Sequence, residues 1–417
     1  MIAISVFVLL LFAYSLVSQR LERTILTAPM VFTIAGMVTY ALLPLLRDVS
    51  MNASFFLHLA ELGLVMLLFT DASRTELTVL RSMENLPARL LSTGLLLTIL
   101  LGAVAARLVF PQLSVWEAGI LGAILAPTDA GLGQVVVASP RVPVRVRQAL
   151  NVEAGLNDGL SVPFLLFFIA LAAARTEIGK ASLPHFVAQQ LGLGVLLGAV
   201  IGLMGGWSLA AACRRAWIAG PFLQIAVVTL PLLCLLVSEV LDASMFIAAF
   251  VAGLAVQVRF KDAGVHSAEF AEEWGQLINL SVFFLFGMGV VRKGSQFGWI
   301  FWVYAVISLT IVRMLPVALA LIGTRLSAAS VLFMGWFGPR GLASIVLGLV
   351  YLEQELHLPG ESTMRLAVMV TVALSIFAHG LSAVPGISLY ERKVSSLPAA
   401  SPEHQEAVLA ATASGRG

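Results

Sequence analysis

Ala126-Pro127-Thr128-Asp129-Ala130-Gly131 opens a stretch that closes on Asn151-Val152-Glu153-Ala154-Gly155-Leu156-Asn157-Asp158-Gly159. A turn carrying Arg141, Arg145 and Arg147 joins the two, and apolar segments flank the whole on both sides. Three carboxylates, Asp129, Glu153 and Asp158, therefore stand where hydrocarbon is expected. Ionisable groups at bilayer depth are costly, and their default reading is functional.

Composition sets this stretch in a membrane. Of 417 residues, 59% are hydrophobic and 12% charged, and the mean hydropathy is +0.97. A soluble domain carries about 25% charged residues. The chain reads as an all-α polytopic membrane protein whose partner is the lipid bilayer. The net charge of +2 says little, because the position of the charges matters more than their sum. Cys213 and Cys234 fit no disulfide or zinc spacing and read as packed apolar residues. The first apolar run lacks a basic n-region and a cleavage site, so it reads as a first transmembrane helix. No Walker motif or soluble nucleotide-binding domain is present. Nucleotide, nucleic acid and cofactors are not expected, and neither is ATP-driven transport within this chain.

A spanning helix needs about 20 mostly apolar residues. Runs of that kind number thirteen: 2–18, 26–46, 53–71, 89–110, 116–138, 148–174, 185–212, 219–240, 243–259, 275–291, 297–322, 328–352 and 363–389. They form one transmembrane domain over 1–390. The Ala-, Ser- and Glu-rich remainder, 391–417, reads as a short disordered tail. The odd-numbered connections and the tail hold sixteen Lys and Arg against five (Arg47, Arg175, Lys180, Arg292, Lys293) in the even-numbered ones. The positive-inside bias puts the C-terminus in the cytoplasm and the N-terminus outside.

Asp129 and Asp158 lie symmetrically about residues 143–144. In an antiparallel hairpin of segments five and six, each stands ~20 Å from the turn. Both then approach the midplane of a ~30 Å hydrocarbon core. Pro127 breaks segment five at that depth, since it lacks an N–H and clashes with the preceding turn. A discontinuous helix frees carbonyls and half-helix ends for ion binding. Thr128 adds a hydroxyl beside Asp129.

Glu153 and Asn157 share a face of segment six, with Asp158 about 100° further round. Asp158 is therefore assigned to the ion path and Glu153 to a structural partner. Arg340, in Gly338-Pro339-Arg340-Gly341, is the arginine embedded in the apolar run 328–352 and is taken as that partner, because a buried guanidinium needs an acid. Pro339 suggests a second broken helix and, with segments one to six and eight to thirteen, an inverted repeat. Which late helix is the counterpart of segment five stays open by one. Asp71 ends segment three and reads either as lining an entry funnel or joining the ion site, or as a solvated helix end. His58 and Glu61 read as satisfied core groups, and Arg313 and Glu239 as structural. The Met245–Gly253 run has small residues at helical spacing and reads as close helix packing.

Pro127-Thr128-Asp129, the Glu153-x-Gly155-Leu156-Asn157-Asp158 block, the Phe246–Gly253 run and Gly338-Pro339-Arg340-Gly341 together resemble the monovalent cation/proton antiporters, in the NhaP/NHE-type branch. The resemblance spans nearly the whole chain. It implies a homodimer of thirteen-helix protomers crossed by two discontinuous helices. It implies Asp158 as the ion- and proton-binding carboxylate and Asn157 as the mark of electroneutral exchange. Thr128 and Asp129 become broken-helix ligands of a monovalent cation, Asp71 an acid near it, and Glu153 with Arg340 a structural pair. Ala154 departs from the branch, where a serine often supplies an oxygen ligand.

The expected function is exchange of Na⁺, K⁺ or Li⁺ for H⁺ across an inner membrane, by alternating access and not by an enzyme. A buried carboxylate that binds either a proton or a cation enforces exchange. Two rivals are weighed. A cation channel without proton coupling lacks a repeated pore loop here. An intramembrane aspartyl protease lacks a Gly-x-Gly-Asp context.

Overall fold

The computed structural model describes the chain apart from residues 1, 22–23, 44–52, 75–85, 174–184, 186–187, 261–262, 354–355, 399–400 and 405–417. It is helical throughout, with no strand among the described residues. In chain order the helices are α1 (Ile2–Leu21), α2 (Ala28–Leu42), α3 (Ala53–Arg74) and α4 (Leu86–Val109). The pair α5a (Val115–Ile124) and α5b (Ala130–Val137) follows, then α6 (Val144–Ala173), α7 (Ala188–Arg214), α8 (Gly220–Val240), α9 (Met245–Val256) and α10 (Ala263–Lys293). The last are α11 (Trp299–Ala320), the pair α12a (Ala328–Trp336) and α12b (Leu342–Glu353), and α13 (Glu361–Ser395). Helix occupies every segment read from the sequence. Among the described residues, eight helices are long and apolar enough to cross a membrane, and α2, α5a, α9 and α12b are shorter apolar helices.

Segments five and twelve are each interrupted by five non-helical residues, 125–129 and 337–341, whereas segment eleven breaks only at Thr310. The cause is alike in both. Helix α5a starts well, with a Ser114/Glu117 capping box, and Glu117 also accepts from the Gly360 amide at 2.7 Å, tying this start to the turn before α13. It stops at Leu125 because Pro127 cannot donate and disfavours helix at the residue before it. Pro339 does the same after α12a.

Small residues set the closest helix approaches. A Cβ added at Gly198, Gly202 or Gly206 of α7 would strike the carbonyls of Ala248, Ala252 and Val256 on α9. One at Gly253 would strike Phe69 of α3. The Met245–Gly253 run therefore serves packing, as its spacing predicted. A second apolar cluster, including Val136, Val146, Leu150, Phe333, Phe337 and Tyr390, lies toward the Pro140–Pro143 turn. Glu61 is buried, but His58 is exposed and not a core group. Both cysteines are free.

Ordered structure continues past the Tyr390 boundary read from composition. Helix α13 runs to Ser395, and Pro402–His404 forms a 3-10 turn. Residues 399–400 and 405–417 of the expected tail lie outside the described residues. Glu403 is 3% exposed. It accepts from the Ser327 amide and the Ser330 hydroxyl, both at 2.7 Å, at the N-terminus of α12a. Arg145 reaches the Pro402 carbonyl at 3.4 Å. Burial favours the protonated acid, but the bonds from Ser327 and Ser330 outweigh it and hold the Glu403 carboxyl below its ordinary value.

A carboxyl depressed on folding gives its full stabilisation above the unfolded value of about 4.3 and loses it as pH falls through the folded value. The tail should therefore stay docked at neutral pH and release only in acid. Glu403→Ala should release it at pH 7, at a cost of about 2 kcal/mol for the lost charged hydrogen bonds. Hydrogen exchange of the peptide around residues 401–404 reads this directly. Equal protection in variant and parent would contradict it.

Candidate functional site at the crossing of the interrupted helices

The two interruptions meet. The Asp129 amide donates to the Pro339 carbonyl at 2.8 Å. Asp129 Oδ1 accepts from the Leu132 amide at 3.0 Å and caps α5b, while Oδ2 accepts from the Leu342 amide at 2.5 Å and caps α12b. One carboxylate thus sits on the positive ends of two half-helices, where negative charge is favoured. Both oxygens are engaged by amides, so Asp129 braces the crossing.

The opposite ends carry positive charge. Arg340 is fully buried, and its Nη1 donates to the Ala126 and Pro127 carbonyls at 2.5 and 2.9 Å. These are buried acceptors freed just past the C-terminal end of α5a, where a cation is favoured. The Glu153–Arg340 pair expected from sequence is therefore corrected. Glu153 pairs instead with Arg313 of α11, Nη1–Oε1 at 2.5 Å and Nη2–Oε2 at 2.9 Å. Both side chains are 4% exposed. The two-pronged geometry matches a carboxylate to a guanidinium edge. Sequence reading missed Arg313 as the partner although it met the test applied to Arg340: it is a lone guanidinium inside an apolar run. Glu153 goes to Arg313, and helix-end carbonyls take Nη1 of Arg340.

Thr128 of the first interruption meets Asn157 of α6, the residue before Asp158. Asn157 Nδ2 donates to Thr128 Oγ1 at 2.6 Å, tying α6 to the first interruption. Asp158 is 4% exposed, and its Oδ1 has no hydrogen-bond partner among the described residues. The charges of Asp129 and Asp71 act on it. Asp71 lies against Gly155, one turn from Asp158, where an added Cβ would meet the Asp71 Cβ at 3.4 Å. Among the described residues these acids do not close into a chelating cluster.

A cavity reaches the crossing. It is lined by Thr128, Asp129, Gly133, Asn151, Ala154 and Pro339, among others. Gly131, Gln134 and Asn151 are exposed around it, on the side of the Pro140–Pro143 turn. Ala154 presents only a methyl to this space.

Gly341 has no room for a side chain, because a Cβ there would fall on the Asp129 carboxylate. Gly341→Ala should displace that carboxylate from the Leu342 amide. Loss of one charged hydrogen bond is worth about 1.5–3 kcal/mol, or roughly a tenfold or larger fall in transport rate. Flux in vesicles, normalised to the amount of folded protein, measures it. An unchanged rate would show that the brace is dispensable.

Two crossed interrupted helices beside a buried carboxylate with an unpartnered oxygen are an arrangement that polytopic secondary transporters use. Comparison with known proteins agrees. The transmembrane model of the sodium/hydrogen exchangers matches residues 6–387, and the chain belongs to that family, one of transporters and not of enzymes. It is 26% identical over 391 residues to the K(+)/H(+) antiporter NhaP of Alkalimonas amylolytica, covering 92% of this chain and 65% of that protein. It is 25% identical over 269 residues to a Na(+)/H(+) antiporter of Schizosaccharomyces pombe, covering 60% of this chain and 57% of that protein. The chain thus spans under two thirds of the length of either relative. Its fold is similar to the sodium proton antiporter MjNhaP1 from Methanocaldococcus jannaschii, with a TM-score of 0.75 at 19% identity, over 95% of this chain and 99% of that one.

Proposed function

We propose that this protein exchanges a monovalent cation for H⁺ across a cell membrane. The observation that carries this reading is Asp158, a buried carboxylate with an unpartnered oxygen at the crossing. A desolvated carboxylate needs a neutralising partner, and a proton and a cation compete for the same oxygens. A site that changes sides only when neutralised by one or the other exchanges them obligatorily.

The cation approaches through the cavity and meets Asp158, with Thr128 Oγ1 and water completing its shell and Asp71 adding negative potential. Asn157 holds Thr128 in place and carries no charge of its own. One exchanging carboxylate then moves one cation for one proton, and the cycle is electroneutral. The relatives named for K⁺ and for Na⁺ make both candidates, with Li⁺ a third. The Arg-rich turn through Arg141, Arg145 and Arg147 places the cavity on the cytoplasmic side by the positive-inside rule. The protein is read as an inner-membrane homodimer with its C-terminus in the cytoplasm.

Vesicles containing the purified protein and a pH-sensitive dye test the reading. Addition of Na⁺, K⁺ or Li⁺ should dissipate a preset proton gradient. A steady conductance indifferent to the proton gradient would instead favour a channel.

A further inference from the structure

In a continuous helix the Arg340 amide would donate to the Trp336 carbonyl, four residues back. The interruption at Phe337–Gly341 removes that bond. An orphaned buried amide is costly, and the Trp336 carbonyl keeps one bond, from the Gly338 amide at 2.8 Å, with its second lone pair open. Here a path of hydrogen bonds from α13 joins the same two atoms. The Arg340 amide donates to Ser375 Oγ at 2.6 Å. Ser375 Oγ lies 3.1 Å from His379 Nδ1. His379 Nε2 lies 2.9 Å from the Trp336 carbonyl.

Two carbonyls that only accept face the His379 ring, Trp336 at Nε2 and Ser375 at Nδ1, and a neutral ring has one hydrogen; on Nε2 it completes the path to Trp336. In that tautomer Nδ1 accepts, and the Ser375 hydroxyl donates to it while taking the Arg340 amide on its lone pair. The Ser375 carbonyl also lies 2.9 Å from Nδ1, within the same helical turn. Ser375 and His379 are spaced i, i+4 and share one face of an unbroken helix. Serine, histidine and arginine are 0%, 2% and 0% exposed, so no bulk water competes. The histidine ring also packs on the Trp336 indole, with centroids 4.9 Å apart.

We propose that Ser375 and His379 are positioning residues of the cation site, splicing the interrupted helix by replacing its missing Trp336–Arg340 hydrogen bond. The splice fixes the backbone of Arg340. That residue's guanidinium holds the Ala126 and Pro127 carbonyls, and these precede Thr128 directly. The uninterrupted α13 thereby sets the geometry of both interruptions without touching the cation. The transport part of this inference rests on the exchange reading, whereas the splice itself does not.

Four variants test it in vesicles: Ser375→Ala, His379→Leu, the double variant, and His379→Gln, whose amide keeps a donor for Trp336 and an acceptor for Ser375. Each single loss should raise the KM for the cation about tenfold, the size of one buried hydrogen bond. The double variant should be no worse than either single one, because the path is already cut. His379→Gln should recover part of the loss. A residue that served only stability would lower the folded yield and leave KM alone. KM within about twofold of the parent in both single variants, or full additivity in the double, would overturn the positioning role.

Hydrogen exchange across residues 337–342 gives a readout independent of transport. It should quicken in Ser375→Ala and in His379→Leu, and unchanged exchange would overturn the splice. A parent protein without any exchange activity would count against the transport reading alone.

Discussion

Asp158→Asn is expected to abolish cation-driven proton movement completely while leaving the protein folded. The asparagine keeps the shape of the side chain but can neither release a proton nor neutralise a cation. The other acids at the crossing are already engaged, since Asp129 caps α5b and α12b and Glu153 holds Arg313. Neither can take over both halves of the exchange. Stability should hold or rise, since a buried carboxylate with an unpartnered oxygen is a cost to the fold. A melting temperature at or above that of the parent, together with flux equal to that of empty vesicles, is the expected pair of results. Residual exchange in Asp158→Asn would move the exchanging role to Asp71 or Asp129.

The second large effect is on stability. Arg313→Ala leaves Glu153 as an uncompensated buried charge and should cost about 3–5 kcal/mol. Glu153→Gln should cost a similar amount. Replacing both with apolar residues of like volume should recover most of the loss, because the pair's attraction mainly offsets its own desolvation. A double-mutant cycle separates this pairing from the one expected by sequence. Coupling should be large between Glu153 and Arg313 and small between Glu153 and Arg340. Thermal unfolding of the purified variants provides the numbers. The reverse order of couplings would restore the Glu153–Arg340 pair.

These two variants also show what the sequence revealed and what it hid. The helical segments were legible because apolar runs of spanning length are hard to mistake. Pro127 and Pro339 were legible as breaks because proline removes a donor whatever its surroundings. Asp158 stood out in the sequence because an acid in an apolar run has few innocent explanations.

The partner of Glu153 was not legible. Charge counting says that a buried acid needs a cation, not which of two distant arginines reaches it. Nor does sequence show that Arg340 reaches the carbonyls of an interrupted helix in place of an acid. Asp129 resembles a ligand in sequence because its two amide partners exist only once α5b and α12b meet. Ser375 and His379 carried no local signal at all. Their role depends on a gap in another helix, closed by atoms far away in sequence. Glu403 was hidden by a tail whose composition resembles that of disordered segments.

The most direct test of single-carboxylate exchange is flux in vesicles with the membrane potential clamped at two values. Na⁺, K⁺ and Li⁺ are compared in the parent and in Asp158→Asn. The account predicts one proton moved per cation, rates indifferent to the imposed potential, and no flux in the variant. A rate that follows the potential, or exchange that survives Asp158→Asn, would contradict it.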